Sequence, residues 1–351
     1  PQLDNNVFVP LTKKEDKTRN NDRSMSLASA LNAVTGAKVA YDVPHSAPWG
    51  TDVSAYLFTK SISAGVLIIS WLVWLFNFTG LLLVESPEEK SINLGFVMLT
   101  GVYPNWMFWV GPLIGLIFLG LTGIFLIKDL DRPERFWTIL TRPQFKSWLA
   151  IGAYIILFYS IALLADFGLF ISGNVDLFQL SFNLSLPLAV MTAIYTAFLF
   201  AQAKGRDLWQ SPLLPVNLIL QAITAGAATF LLIAPFFTGT RTVSTLCGWI
   251  MVASLLLHIS TVLIGEVMIE HPSKAQSRAV KLMIEGPYKN LFWGVYAAGG
   301  TIVPAVLVYL LNIGSISNFD LIYPLAGLLA LIGLFAYEHS FVMAGQSVRL
   351  S

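Results

Sequence analysis

Asp52, Tyr56 and Lys60 follow one another at i, i+4 spacing in "WGTDVSAYLFTK", at the head of an apolar run. In a helix this spacing places a carboxylate, a phenol and an ammonium on one face. Such a trio can exchange protons or hydrogen-bond a ligand oxygen, in a place where lipid would not tolerate a polar stripe. Lys60 alone has two readings. Its ammonium can snorkel to the headgroups, or it can serve a buried acid or a ligand oxygen.

A second acidic group stands in "KDLDRPERFWTILTRPQFKSW", between two apolar runs. Pro133 predicts a helix end near Arg132. Asp129 and Asp131 then lie at a helix C-terminus, where the macrodipole disfavours a carboxylate by about 0.3–1 kcal/mol. Arg132, Arg135 or Lys60 can compensate them, or they can accept hydrogen bonds from a ligand. The plain alternative is a solvated elbow that happens to hold two acids.

Five more groups fall within apolar runs, where an ionised side chain costs about 2.5–3.5 kcal/mol. In "TLCGWIMVASLLLHISTVLIGEVMIE", His258 lies near mid-depth, and Glu266 follows eight residues on along nearly the same face. This is the layout of a proton relay or a polar pocket, although a lone histidine can equally be a hydrogen-bonded core residue. In "YEHSFVMAGQS", Glu338 precedes His339. Adjacent helix residues diverge by about 100°, so the two cannot face one cavity squarely. Asp166, at the far end of the third run, reads as an interfacial cap.

The elements that must carry these residues are read from composition. The 351 residues are 56% hydrophobic and 12% charged, whereas a soluble domain carries about 25% charged residues. The class is an all-α polytopic membrane protein. A bilayer span needs about 20 mostly apolar residues, and eight windows qualify, at roughly 57–84, 107–127, 147–171, 184–203, 213–237, 245–269, 291–312 and 321–345. Four helices plus four helices predict two four-helix bundles. Residues 92–103 are too short to span and read as an interfacial or re-entrant helix. Residues 1–48 read as a polar leader without the apolar core of a signal peptide, and residues 49–351 as the membrane domain.

A net charge of +1 supports no argument for a nucleic-acid partner. The lone Cys247 excludes an internal disulfide framework, a thiolate-ligated iron–sulfur cluster and a Cys-rich zinc site made by this chain alone. Of the four histidines only His258 and His339 fall in apolar segments, so a dihaem anchor is not expected. Lys128, Arg132, Arg135, Arg142, Lys146, Lys204, Arg206, Lys274, Arg278, Lys281 and Lys289, with Lys60 and Arg349, fall on the amino-terminal side of the spans. Only Lys90 and Arg241 fall on the other. By the positive-inside rule both termini are then cytoplasmic, unless the basic loops are instead a docking surface for an acidic partner.

Four segments in order, "PWGTDVSAYLFTKSISAG", "DLDRPERFWTILTRPQFKSW", "GPYKNLFWGVYAAGGTIVP" and "VMAGQSVRL", resemble the NrfD-like, or polysulfide reductase membrane-subunit, family over about residues 40–351. The resemblance implies a multi-pass subunit of a bacterial or archaeal cytoplasmic membrane. It implies binding of menaquinone or ubiquinone, with no haem, metal site or iron–sulfur cluster held by this chain. The implied partners are a ferredoxin-like iron–sulfur subunit joined to a molybdopterin catalytic subunit, or cytochrome c-type subunits as in alternative complex III. The quinone pocket implied by the family lies where the first span begins and the second ends, at Asp52, Tyr56, Asp129 and Asp131, with Lys60 and Arg132 beside them. Tyr56 stands where the polysulfide reductase type has a histidine.

The leading expectation is therefore a quinone-binding subunit of a respiratory oxidoreductase. The same fold can also couple quinone turnover to proton translocation, with His258, Glu266, Glu338 and Asp166 as relay stations, and the residues alone do not separate the two readings. A secondary transporter using His258 and Glu266 as coupling residues is the rival. It would be expected to show broken helices in corresponding halves, and no convincing halves repeat is visible.

Overall fold

The computed structural model describes residues 49–78, 106–130, 132–237, 241–269, 271 and 273–348. The leader at 1–48, the short helix expected at 92–103 and Asp131 lie outside the described residues. Among those described, eight helices are long and apolar enough to cross a membrane. They are α1 (Thr51–Phe78), α2 (Trp106–Asp129), α4 (Trp148–Ile171), α5 (Val175–Ala201), α6 (Leu214–Ile233), α7 (Arg241–Val262, continued by Leu263–Met268), α9 (Asn290–Asn312) and α10 (Phe319–Gln346). The short helix α3 (Trp137–Thr141) lies in the α2–α4 elbow, and the amphipathic α8 (Lys274–Ile284) joins α7 to α9.

The helices close into two rings of four. In the first, α1 packs on α2, α2 on α4, α4 on α5 and α5 on α1. In the second, α6 packs on α7, α7 on α9, α9 on α10 and α10 on α6. The rings share a seam where α1 meets α6, with α5 against α6 and α10 against α1 along its flanks. Seam helices are the most enclosed: 78% of the apolar window of α1 is buried, against 28% for the lipid-facing α4. The sequence puts its small residues at this seam. A Cβ on Gly65 would lie 1.9 Å from the carbonyl oxygen of Ala222, and one on Gly226 would lie 2.2 Å from the backbone of Gly65. No larger side chain fits there, and the backbones touch.

Some boundaries differ from those predicted. Helix α1 begins at Thr51 rather than 57, and α5 at Val175 rather than 184. Hydropathy misses the first turns of α5 because Asp176, Gln179, Ser181 and Asn183 are polar, yet these turns are supported locally. Asn174 caps the helix by accepting from the Leu177 N–H at 3.2 Å, and Asn183 accepts from the Trp71 indole at 2.9 Å. Helix α2 ends at Asp129 rather than Arg132. Pro133 forces the residue before it out of the helical region, and Arg132 accordingly has φ −136° and ψ 78°.

Two stretches are wound as π-helix, Leu263–Met268 and Asn290–Ile302. The second ends at Ile302, and the helix runs on without a break through Val303 and Pro304 into the α-helical half of α9. In α7, the wider i→i+5 turn advances each residue through a smaller angle than an α-turn. It therefore rotates Glu266 back towards the face that carries His258.

Candidate functional site

A cavity of about 340 Å³ opens at the junction of the start of α1 and the end of α2, in the size range that takes small-molecule ligands. Its polar wall is Asp52, Tyr56 and Asp129, and its apolar wall includes Trp49, Phe125, Leu126, Leu149, Leu199 and Phe200. Asp52 in the first turn of α1 is paired with the Lys128 ammonium in the last turn of α2 at 2.9 Å. Each charge sits at the helix end that favours it, the acid at an N-terminus and the base at a C-terminus. The pair joins the two helices across the cavity mouth.

Tyr56 is buried, and its hydroxyl meets that of Tyr195 on α5 at 2.6 Å. Lys60, one turn deeper, does not line the cavity. Its ammonium is fully buried, donates to the carbonyl of Ala193 at 2.7 Å and to the Thr196 hydroxyl, and lies 5.4 Å above the Tyr195 ring. The snorkelling reading is thereby overturned, because the ammonium is enclosed and bonded to acceptors that α5 supplies inside the bundle. It also follows that Lys60 contributes nothing to the basic flank of the spans. Across the seam from Lys60, Glu338 on α10 accepts from the Ser61 hydroxyl at 3.3 Å and lies within electrostatic reach of the ammonium. Its neighbour His339 turns to Ser54, with Nδ1 and Oγ 3.3 Å apart. Both adjacent residues thus face α1, but two turns apart along it.

The second ring holds a separate polar cluster. His258 exchanges hydrogen bonds with Gln221 on α6 at 3.1 Å and with the Tyr296 hydroxyl on α9 at 2.8 Å, and it meets the Tyr337 ring edge-on at 4.7 Å. It is a fully partnered core histidine. Tyr337 also lies within electrostatic reach of Glu266 and Glu338. Glu266 accepts from the Ser211 hydroxyl. Asp166 stands apart: it is fully buried in the first ring and accepts from Ser181 at 2.5 Å. It is no interfacial cap, since the early start of α5 covers it. Glu266, Glu338 and Asp166 each keep one carboxyl oxygen without a partner among the described residues. Arg132 is exposed on the elbow and does not line the cavity.

Sequence reading missed Tyr195, Thr196, Gln221 and Tyr296. Their own spans give no periodic polar pattern that singles them out, and only the facing helix gives each a meaning. No group of three or more metal-ligating side chains exists among the described residues. In the loop after α5, burial lowers the pKa of Arg206 from its ordinary value, and its guanidinium donates to the carbonyls of Gln346 and Val348 at 2.8 and 2.6 Å.

Eight apolar helices with a polar-walled cavity at one end and ionisable groups buried among them make a multi-pass membrane protein. Residues 41–349 match the family described as "Polysulphide reductase, NrfD", and the protein belongs to that family. It is 25% identical to a polysulfide reductase component of Wolinella succinogenes over 85% of its own length and 94% of that relative. It is 24% identical to a NrfD homolog of Haemophilus influenzae over 87% and 98%. A selenate reductase component of Mesobacillus selenatarsenatis is 22% identical over 82% of the present sequence and 71% of its own length.

Proposed function

We propose that this protein is the quinone-binding membrane subunit of a respiratory oxidoreductase complex in a bacterial or archaeal cytoplasmic membrane. The observation that carries this reading is the cavity whose polar wall is Asp52, Tyr56 and Asp129 and whose remaining surface is aromatic and aliphatic. Family membership and relatives named as parts of polysulfide and selenate reductases support it. Such a complex would bring an iron–sulfur subunit and a molybdopterin catalytic subunit, or cytochrome c-type subunits, against the basic loops.

The residues of the cavity fit a quinone. A menaquinone or ubiquinone bound there would supply two-electron, two-proton redox chemistry. Trp49, Phe125 and Phe200 offer apolar faces to a ring, and Tyr56 offers a hydroxyl to one of its oxygens. A hydroxyl has one proton to give. When Tyr56 donates into the cavity, its oxygen is left to accept from Tyr195, which sets the direction of the tyrosine pair. Asp129 ends α2 beside the cavity, where its carboxyl can accept a hydrogen bond from a ligand hydroxyl. Lys128 pairs with Asp52, which lines the cavity, and so ties the start of α1 to the end of α2 beside it.

Coupled proton transfer is favoured by one specific observation: Glu266 and Glu338 are both buried, and each has a carboxyl oxygen without a partner among the described residues. The test of the main reading is quinol kinetics of the purified complex. Tyr56→Phe and Asp129→Asn are expected to raise the KM for a soluble quinol or lower kcat by about tenfold, the size of one lost hydrogen bond to a charged or reacting group. Unchanged kinetics in both variants would refute the site. For proton coupling, a His258→Phe complex that keeps the wild-type proton-to-electron ratio removes that residue from any relay. A protein that purifies alone, with no iron–sulfur, molybdenum or cytochrome partner, would return the transporter reading to first place.

A further inference from the structure

The motif "VMAGQSVRL" near the end of the sequence and the motif "PWG" before α1 meet at the cavity, although neither carries a chemical group that the proposed reaction uses. Gln346, in the last turn of α10, is buried. Its carboxamide oxygen accepts from the Trp49 N–H at 3.0 Å, while its NH₂ donates to the Trp49 carbonyl at 2.6 Å. One side chain thus satisfies both backbone groups of one residue 297 positions away. The Trp49 indole stacks on Trp209, with centroids 4.4 Å apart and planes at 25°, and meets Phe200 edge-on at 4.9 Å.

Two further contacts hold the clasp in register. Arg206 donates to the Gln346 and Val348 carbonyls, orphan acceptors at the end of α10. Gly345 lets Trp209 lie against that end, since a Cβ there would be 2.1 Å from the indole nitrogen. Trp49 and Phe200 both line the cavity.

From this geometry we infer that Gln346 is a positioning residue: its carboxamide clasps the backbone of Trp49 and thereby holds the Trp49 indole as the outer wall of the cavity. Its effect on turnover rests on the quinone reading, but the clasp itself does not. The residue acts through Trp49 and not on the reacting atoms, so its loss should loosen binding and spare the chemical step.

The experiment uses the complex purified from membranes, with menadiol and decylubiquinol as probes, and hydrogen exchange of the peptide that carries the Trp49 amide. In Gln346→Ala, exchange at Trp49 is expected to speed by about tenfold, as for a lost hydrogen bond. KM for the quinol that the complex uses should rise by about tenfold with kcat within about twofold. Gln346→Glu retains the acceptor for the N–H but loses the donor to the carbonyl, and should fall between. It also serves should the alanine variant fail to assemble. Trp49→Ala should reproduce the KM effect, and combining it with Gln346→Ala should add nothing further. Unchanged exchange in Gln346→Ala and Gln346→Glu overturns the clasp. Faster exchange with an unchanged KM, while Tyr56→Phe shifts KM, overturns the positioning role alone. If Tyr56→Phe and Trp49→Ala also leave KM unchanged, the quinone reading has failed, and the exchange rates still decide whether Gln346 holds Trp49.

Discussion

The hydroxyls of Tyr56 and Tyr195 stand 2.6 Å apart inside the first ring, with Tyr56 on the cavity wall and Tyr195 one step behind it. Neither phenol has another hydroxyl partner of this kind within the described residues, so each orders the other.

Tyr195→Phe should therefore act on the cavity without touching it. With no donor behind it, Tyr56 loses the bond that directs its own proton outward, and quinol turnover is expected to fall by about three- to tenfold, consistent with one neutral hydrogen bond. Steady-state kinetics of the Tyr195→Phe and Tyr56→Phe complexes, singly and together, check this. A double variant as impaired as Tyr56→Phe alone is the expected result, and fully additive losses would show that the two hydroxyls act separately.

Lys60 and Glu338 are both fully enclosed on opposite sides of the seam. The two lie within electrostatic reach of one another, so each is expected to offset part of the cost of burying the other, a loss on the order of 3 kcal/mol when one is removed. Lys60→Met and Glu338→Gln are each expected to lower the detergent-solubilised melting temperature and the yield of folded protein. The Lys60→Met/Glu338→Gln pair should recover most of both. A double variant worse than either single would disprove the coupling.

The α1–α6 crossing predicts a steric result. Gly65→Ala places a Cβ 1.9 Å from the Ala222 carbonyl oxygen, against backbone rather than a movable side-chain tip. The helices must separate, for which overpacking costs of about 1–3 kcal/mol are typical. Gly120→Ala on α2, where nothing lies within 4 Å of the added Cβ, is the matched control and should leave the melting temperature of the protein unchanged.

Lys128 and Asp52 form an ion pair whose lysine is 64% exposed. Exposed pairs contribute under about 1 kcal/mol, so Lys128→Ala should leave the melting temperature almost unmoved. It also leaves Asp52 unneutralised at the cavity mouth. Because a quinol carries no charge, the expected outcome is a quinol KM that moves by less than about threefold through the looser α1–α2 junction and does not vary across a salt series.

Much of the architecture was legible in the residues because the bilayer imposes it. Apolar runs long enough to cross must become helices, since no water is present to satisfy an open backbone, and the eight such runs appear as eight spans among the described residues, with most ends shifted by a few residues and the start of α5 by nine. The polar stripe of Asp52, Tyr56 and Lys60 was visible from i, i+4 spacing alone, as was its meeting with the end of α2 through the resemblance. The start of α5 was not legible. Asp176, Gln179, Ser181 and Asn183 depress hydropathy, whereas the structure satisfies part of this set through Trp71 and Asp166 on other helices.

What the sequence determined by itself was the local part: helix type, span number and the side on which each polar residue leaves its own helix, all set by backbone periodicity and apolar content. The tertiary structure alone decided which residues from distant helices meet. Lys60 turns inward because α5 offers the Ala193 carbonyl and the Thr196 hydroxyl. His258 is a core residue because Gln221 and Tyr296 bracket its ring. Gln346 matters because the segment before α1 and the end of α10 close on one another at Trp49. Partners hundreds of positions apart leave no periodic trace in either segment, and whether a buried polar group is paired depends on the facing helix rather than on its own.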